Sequence, residues 1–70
     1  MIEITAPMGG KVIEVKVKVG DQVNEDDEVI ILEAMKMELP VVATASGIVK
    51  EVRCKAGDAV EADNVLIVLE

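Results

Sequence analysis

The 70-residue sequence contains no phenylalanine, tyrosine, tryptophan or histidine, and it has a single cysteine. One cysteine cannot form an intrachain disulfide, and without histidine we do not expect a structural zinc site. Small domains usually need such a staple, because a chain of this size buries little apolar surface. The core must therefore come from aliphatic side chains alone.

Charge and hydropathy exclude several classes of partner. The formal net charge of −7 disfavours binding to nucleic acid phosphates, and the lack of aromatic residues removes any base-stacking platform. No apolar run approaches the length of a membrane span, and the N-terminus lacks the pattern of a signal peptide. We therefore expect a cytoplasmic protein that binds neither nucleic acid nor membrane.

The aliphatic residues that are present favour strands. Thirteen valines and seven isoleucines dominate the apolar set, and β-branched side chains are typical of sheets. A thin, closed β structure suits a small aliphatic core, since closure removes exposed sheet edges. The composition predicts an all-β fold in a single domain over residues 1–70.

The chain contains an internal repeat. Residues 1–33 align without a gap with residues 38–70, and 13 of the 33 aligned pairs are identical. The identities include Gly10 with Gly47, a match that shared β-favouring composition alone would not produce. Each copy carries several short strand signals, about eight in total. Two such copies predict a flattened, eight-stranded barrel-sandwich hybrid with pseudo-twofold symmetry.

The strand signals recur at equivalent places in the two copies. Six of them lie at residues 2–5, 11–18, 29–33, 39–42, 48–55 and 65–70. A change of phase between Val12 and Val15 predicts a β-bulge, and Val49 and Val52 repeat it. Cys54 falls on the inward phase of its strand, so we expect a buried thiol and not a nucleophile.

A short segment lies outside both copies. It consists of Ala34, Met35, Lys36 and Met37. Taken alone, residues 28–39 are rich in helix formers, so a helix is the alternative. The repeat favours a β-turn, because a strand must end before this segment and restart after it. Two-residue hairpin turns prefer Asn-Gly, and a Met-Lys pair breaks that preference, as functional sites often do.

The sequence around this turn resembles a known attachment motif. Residues 33–38 read Glu-Ala-Met-Lys-Met-Glu and are similar to the biotin attachment motif of biotinyl domains, within the biotinyl/lipoyl carrier family. Residues 6–10, 19–23 and 46–49 resemble the frame of that family, and the resemblance covers essentially the whole chain. It implies that Lys36 carries biotin through an amide bond, on a hairpin between two quasi-symmetric halves.

The resemblance also implies a carrier role and no catalytic residue. Biotin on Lys36 would take up a carboxyl group at a biotin carboxylase site and release it at a carboxyltransferase site, in a biotin-dependent carboxylase, decarboxylase or transcarboxylase. A lysine amine is mostly protonated at neutral pH, so a biotin protein ligase must help to deprotonate it and present an activated biotinyl-adenylate. The acidic run at 25–28 lacks the spacing of a calcium loop, so we expect a turn and no metal site there.

Five residues beside Lys36 are candidates for recognition by the ligase and by partner enzymes. They are Glu33, Ala34, Met35, Met37 and Glu38. The two methionines are soft side chains that adapt to several partners, although they would also serve to cover one end of a barrel. The two glutamates either orient the domain toward the ligase or are solvated charges at strand ends.

The chain departs from the family pattern at three positions. Asp26 and Asp63 stand where the family commonly places a glycine, and aspartate tolerates left-handed backbone better than most residues. Pro40 cannot donate a ladder hydrogen bond, so either its nitrogen faces solvent or the strand is bulged there. None of these positions lies in the attachment turn.

Two alternative functions stay open. A lipoyl carrier domain would share the fold and the lysine, but that subfamily tends to place an acidic residue before its lysine, where this chain has Met35. A structural or adaptor module of the same fold would need no modifiable lysine.

Overall fold

The computed structural model describes residues 1–70 and contains eight β-strands and no helix. The strands are β1 Ile2–Thr5, β2 Gly10–Val15, β3 Gln22–Val23, β4 Glu28–Ala34, β5 Met37–Val42, β6 Gly47–Val52, β7 Ala59–Val60 and β8 Val65–Leu69. They form two four-stranded antiparallel sheets, which we call sheet I (β1-β8-β6-β3) and sheet II (β5-β4-β2-β7). The predicted all-β barrel-sandwich is confirmed. The chain has no helix of the length and apolarity that crossing a membrane requires.

Each sheet contains strands from both copies of the repeat. Sheet I takes β1 and β3 from the first copy and β6 and β8 from the second, and sheet II takes the equivalent strands of the opposite copies. Equivalent hydrogen bonds recur between the halves: Gly20 N donates to Val49 O at 2.8 Å, and Gly57 N donates to Val12 O at 2.7 Å. The two halves are therefore interlocked, since each completes the sheets of the other.

Strand ends differ from the sequence prediction in a consistent way. β2 ends at Val15 and β6 at Val52, three residues before the predicted ends at 18 and 55. Within these strands, the register of β2 on β4 shifts between Val12 and Glu14, and that of β6 on β8 shifts at the equivalent place. The predicted bulges are confirmed. β3 and β7 are two residues each, which is too short for a periodic signal.

The unusual backbone positions also behave as their chemistry predicts. Asp26 and Asp63 have φ of 73° and 70°, the left-handed region that aspartate tolerates. Pro40 lies in β5, an edge strand of sheet II, and is paired with Ile31 where no bulge occurs. Of the two expected arrangements, a solvent-facing nitrogen or a bulge, the structure shows the first. On the outer side of an edge strand no neighbouring strand needs a hydrogen bond from the proline nitrogen.

The core is entirely apolar. Sixteen of the 70 residues are buried, and none of them is polar or charged. Valine, isoleucine and leucine side chains of both sheets form the main cluster, and Cys54 belongs to it. Burial raises the pKa of the Cys54 thiol, with a smaller contribution from Asp58. The predicted buried thiol is confirmed, and its raised pKa disfavours the reactive thiolate.

Gly10, at the start of β2, packs directly against the end of β4. A Cβ at this position would lie 2.5 Å from the carbonyl oxygen of Glu33 and 3.3 Å from the Cβ of Ala34. No side chain fits at 2.5 Å from a backbone oxygen, so only glycine lets the two strands approach this closely. Gly47 occupies the equivalent place in the second copy, where an added Cβ would lie 2.9 Å from the carbonyl oxygen of Glu70.

We expect Gly10→Ala to lower the free energy of unfolding by about 1–3 kcal/mol, because β2 must move away from β4. Gly9→Ala is the matched control, since a Cβ there meets nothing closer than 3.6 Å. Far-UV circular dichroism during urea unfolding measures both variants, as the chain has no tryptophan. Equal stability of the two variants would contradict the close approach at Gly10.

Candidate functional site

The hairpin between β4 and β5 ends in a two-residue turn. Ala34 and Met37 form the last strand pair, and Met35 and Lys36 lie between them. The φ angles of Met35 and Lys36 are 53° and 65°, the left-handed values that a type I′ hairpin turn requires at both central positions. The predicted turn is confirmed, and the alternative of a helix over this segment is wrong.

This turn concentrates backbone strain at one place. The chain has four non-glycine residues with positive φ, and the other two are the aspartates of the equivalent acidic turns. Met35 and Lys36 have no such tolerance, and a non-glycine residue in this region costs on the order of 1 kcal/mol. The fold therefore holds a methionine and a lysine where asparagine and glycine would be favoured.

The side chains of the turn point into solvent. Met35 is 86% exposed and Met37 62% exposed, so neither covers the end of the barrel. Lys36 is exposed as well, and its Nζ makes no ion pair and no hydrogen bond. A primary amine at the centre of a projecting turn is accessible for acylation by another protein.

Ala34 supports the turn from beneath. Its side chain is only 6% exposed and faces Gly10 at the start of β2. It presents little surface to a partner, so any contact in this place would involve mainly the backbone of the turn. Gly10 is the part of the site that sequence reasoning missed. Its identity with Gly47 in the repeat was the available signal.

Glu33 and Glu38 form an acidic pair below the turn. They are direct partners across the hairpin, and both are exposed. Like charges placed opposite each other are mildly unfavourable, and Lys11, which is paired with Glu33 from β2, offsets part of this. None of the three takes part in an ion pair within the domain. Their charges are available to a partner.

The remaining polar groups do not assemble a second site. No group of three acidic, histidine or cysteine side chains is placed to hold a metal ion. The acidic run at 25–28 forms a turn up to Asp27, in which Asn24 N donates to Asp27 Oδ2 at 2.8 Å, and Glu28 begins β4. Lys36 differs from the other exposed lysines in its position, since it is the one lysine that lies in a turn with positive φ.

Comparison with protein families agrees with this geometry. Residues 2–69 match the model of the biotin–lipoyl family, which is described as biotin-requiring enzyme. The chain belongs to the biotin–lipoyl family. The match spans both halves of this biotin–lipoyl domain and the turn between them, and the resemblance to biotinyl domains is confirmed.

Individual relatives include both biotinyl and lipoyl proteins. The biotin/lipoyl attachment protein of Bacillus subtilis strain 168 is 52% identical over 43 residues, which cover 61% of this chain and 59% of that protein. Kluyveromyces lactis urea carboxylase has a segment with a TM-score of 0.92 at 39% identity, covering 99% of this chain and 6% of that one. The lipoyl domain of the Azotobacter vinelandii 2-oxoglutarate dehydrogenase complex has a TM-score of 0.81 at 29% identity, covering 100% and 96%.

We expect Met35→Asn to raise the free energy of unfolding by about 0.5–1 kcal/mol, since asparagine adopts positive φ at lower cost. Little burial is lost, because Met35 is 86% exposed. Met37→Asn is the control, as Met37 lies in β5 and has no positive φ. Thermal unfolding followed by circular dichroism measures both. A stabilisation of Met37→Asn equal to that of Met35→Asn would refute the assignment of strain to the turn.

Proposed function

We propose that this chain is a biotin carboxyl carrier domain with biotin linked by an amide bond to Nζ of Lys36. The observation that carries the proposal is the free, exposed Lys36 amine at the centre of a strained type I′ turn. Membership of the biotin–lipoyl family supports it, as does the Glu-Ala-Met-Lys-Met-Glu sequence of residues 33–38.

The chain contributes a nucleophile and a rigid mount. Lys36 Nζ, once deprotonated with help from the ligase, attacks the activated carbonyl of biotinyl-adenylate, and AMP leaves as the amide forms. The lysine loses its positive charge, so the formal net charge of the chain, −7 before modification, becomes one unit more negative. When bound, biotin supplies a ureido ring that accepts and releases a carboxyl group.

The carrier itself is non-catalytic in this proposal. Its effect is to keep a tethered group at high local concentration near two successive active sites. The partners are biotin protein ligase and the biotin carboxylase and carboxyltransferase components of a biotin-dependent carboxylase, decarboxylase or transcarboxylase. The free thiol of Cys54 is in keeping with a reducing compartment, and we propose a cytoplasmic location.

A lipoyl carrier is the second candidate function. The likeness to an Azotobacter vinelandii lipoyl domain supports it, because that domain has the same fold and a similar length. The side chain before the lysine favours biotin. Met35 is apolar, whereas lipoyl domains tend to carry an acidic residue at this position. A biotin ligase that contacts the apolar side chain of Met35 would have to desolvate a charge if an acidic residue stood there instead.

Lys36 should be the only residue that a biotin protein ligase modifies in the presence of ATP and biotin. Peptide mass spectrometry locates the label. Lys36→Arg should remain folded and unlabelled, because guanidinium does not form the amide. Biotin on Lys11, Lys50 or another lysine, or no biotin at all, would refute the proposed attachment site.

Met35→Asp should slow biotinylation and improve lipoylation while leaving the fold intact. The reason is that an apolar contact to the biotin ligase becomes a charge that must be desolvated. Aspartate tolerates the positive φ of this position, so a folding defect is not expected. Initial rates of both modifications, with circular dichroism melting, measure the effect. Unchanged rates for the variant would show that the ligases do not recognise Met35.

A further inference from the structure

Sheet II carries an apolar patch in the middle of its outer face, which we call the apolar centre. It consists of Ile13, Ile31, Pro40 and Val42. Ile31 and Pro40 are direct partners across β4 and β5 and therefore point to the same side. Ile13 is 38% exposed and Val42 37%, Pro40 is exposed, and Ile31 is half-buried. Ile31, Pro40 and Val42 lie on the two arms of the hairpin that ends at Lys36, and Ile13 lies on the neighbouring strand β2.

The fold does not require apolar residues in these positions. The internal repeat supplies a direct comparison, because Val68 of sheet I, the equivalent of Ile31, has the equivalent strand partners, and there the side chain is 4% exposed. The residues equivalent to Ile13, Pro40 and Val42 are Lys50, Glu3 and Thr5. Polar side chains are thus compatible with this architecture, and the apolar ones on sheet II call for another explanation.

The rim of the same face is acidic. Glu28, Glu33 and Glu38 lie along the hairpin on this face, and Glu14 of β2 is the direct partner of Ile31, so a carboxylate also flanks the apolar centre on its β2 side. Lys16 Nζ donates to Glu28 Oε1 at 3.0 Å, and Lys11 is the only lysine within the strands of sheet II. Sheet I keeps two of these four carboxylates, as Glu51 and Glu70, but has Met1 and Val65 at the positions of Glu38 and Glu28. An apolar centre with a charged rim is the usual anatomy of a protein interface.

The reach of the unmodified lysine restricts which partner must sit on this face. Without biotin, Lys36 extends by one side chain only, so the enzyme that acylates it has to touch the domain. A standard interface covers about 800 Å² on each partner, nearly a fifth of the 4318 Å² exposed by the whole chain. The turn alone is too small to supply this area, and the inner face of the hairpin is buried, so the exposed outer face of the same hairpin is a surface next to Lys36 that can supply the rest.

We propose that the outer face of sheet II, centred on Ile31, is the docking surface for biotin protein ligase. The ligase meets it with an apolar surface rimmed by lysine or arginine, in complement to the glutamates. This inference rests on the proposed function and specifies how that partner is bound.

The test exchanges the apolar centre for the residues that the repeat itself uses. The test variant combines Ile13→Lys, Pro40→Glu and Val42→Thr, which leaves the net charge unchanged. The control variant makes the reverse kind of change on sheet I and combines Glu3→Leu, Thr5→Val and Lys50→Ile. Initial rates of biotinylation are measured against carrier concentration with biotin protein ligase. The test variant should raise the KM for the carrier about tenfold, with kcat within about twofold because Lys36 is untouched. The control should keep both values.

A second measurement leaves the apolar centre unchanged and so does not depend on whether the test variant folds. ¹⁵N-labelled Lys36→Arg protein is titrated with biotin protein ligase that holds biotinyl-adenylate, and amide shifts are followed by NMR. Shifts at Ile13, Ile31 and Val42 support the proposal. Shifts confined to residues 34–37, or an unchanged KM in the test variant, overturn it. Failure of wild-type Lys36 to accept biotin would instead overturn the proposed function, so the two failures are distinguishable.

Discussion

The pairing of β4 with β5 runs through six registered positions, from Glu28 with Val42 to Ala34 with Met37, and leaves two residues to reverse the chain. Only primed turns close a gap of two residues without splaying the strands. The backbone at Met35 and Lys36 must therefore adopt positive φ, whatever their side chains prefer. The exposure of the lysine amine is a consequence of this closure, since both central residues of such a turn point away from the sheet.

The interlocking of the two halves provides the stability that keeps the turn in its strained conformation. Neither sheet can be completed from one copy of the repeat, because four of the six strand pairs join the two copies and only β2–β4 and β6–β8 lie within one copy. The buried interior holds no polar group that would demand a partner. Gly10 supports the turn, because it lets β2 pack against the end of β4, directly below Lys36. The mount is thus stiff while the side chain of Lys36 is free.

The repeat made most of the fold and the site predictable. Aligning the two copies isolated residues 34–37 as the only segment without an equivalent, and it excluded the helix that local propensity allowed. The phase change at Val12 and Val15 predicted the bulge for the same reason. Features that depend on the approach of separate strands were not predictable. The two-residue strands β3 and β7, the early ends of β2 and β6, the contact of Gly10 and the apolar centre around Ile31 all require the register between strands.

The central claim is that Lys36 carries biotin in the cell. The most direct measurement is the mass of the intact chain purified from its native host, followed by peptide mapping. We expect a mass increase of one biotinyl group, located on Lys36. A lipoyl group on Lys36, or an unmodified lysine in cells supplied with biotin, would contradict it.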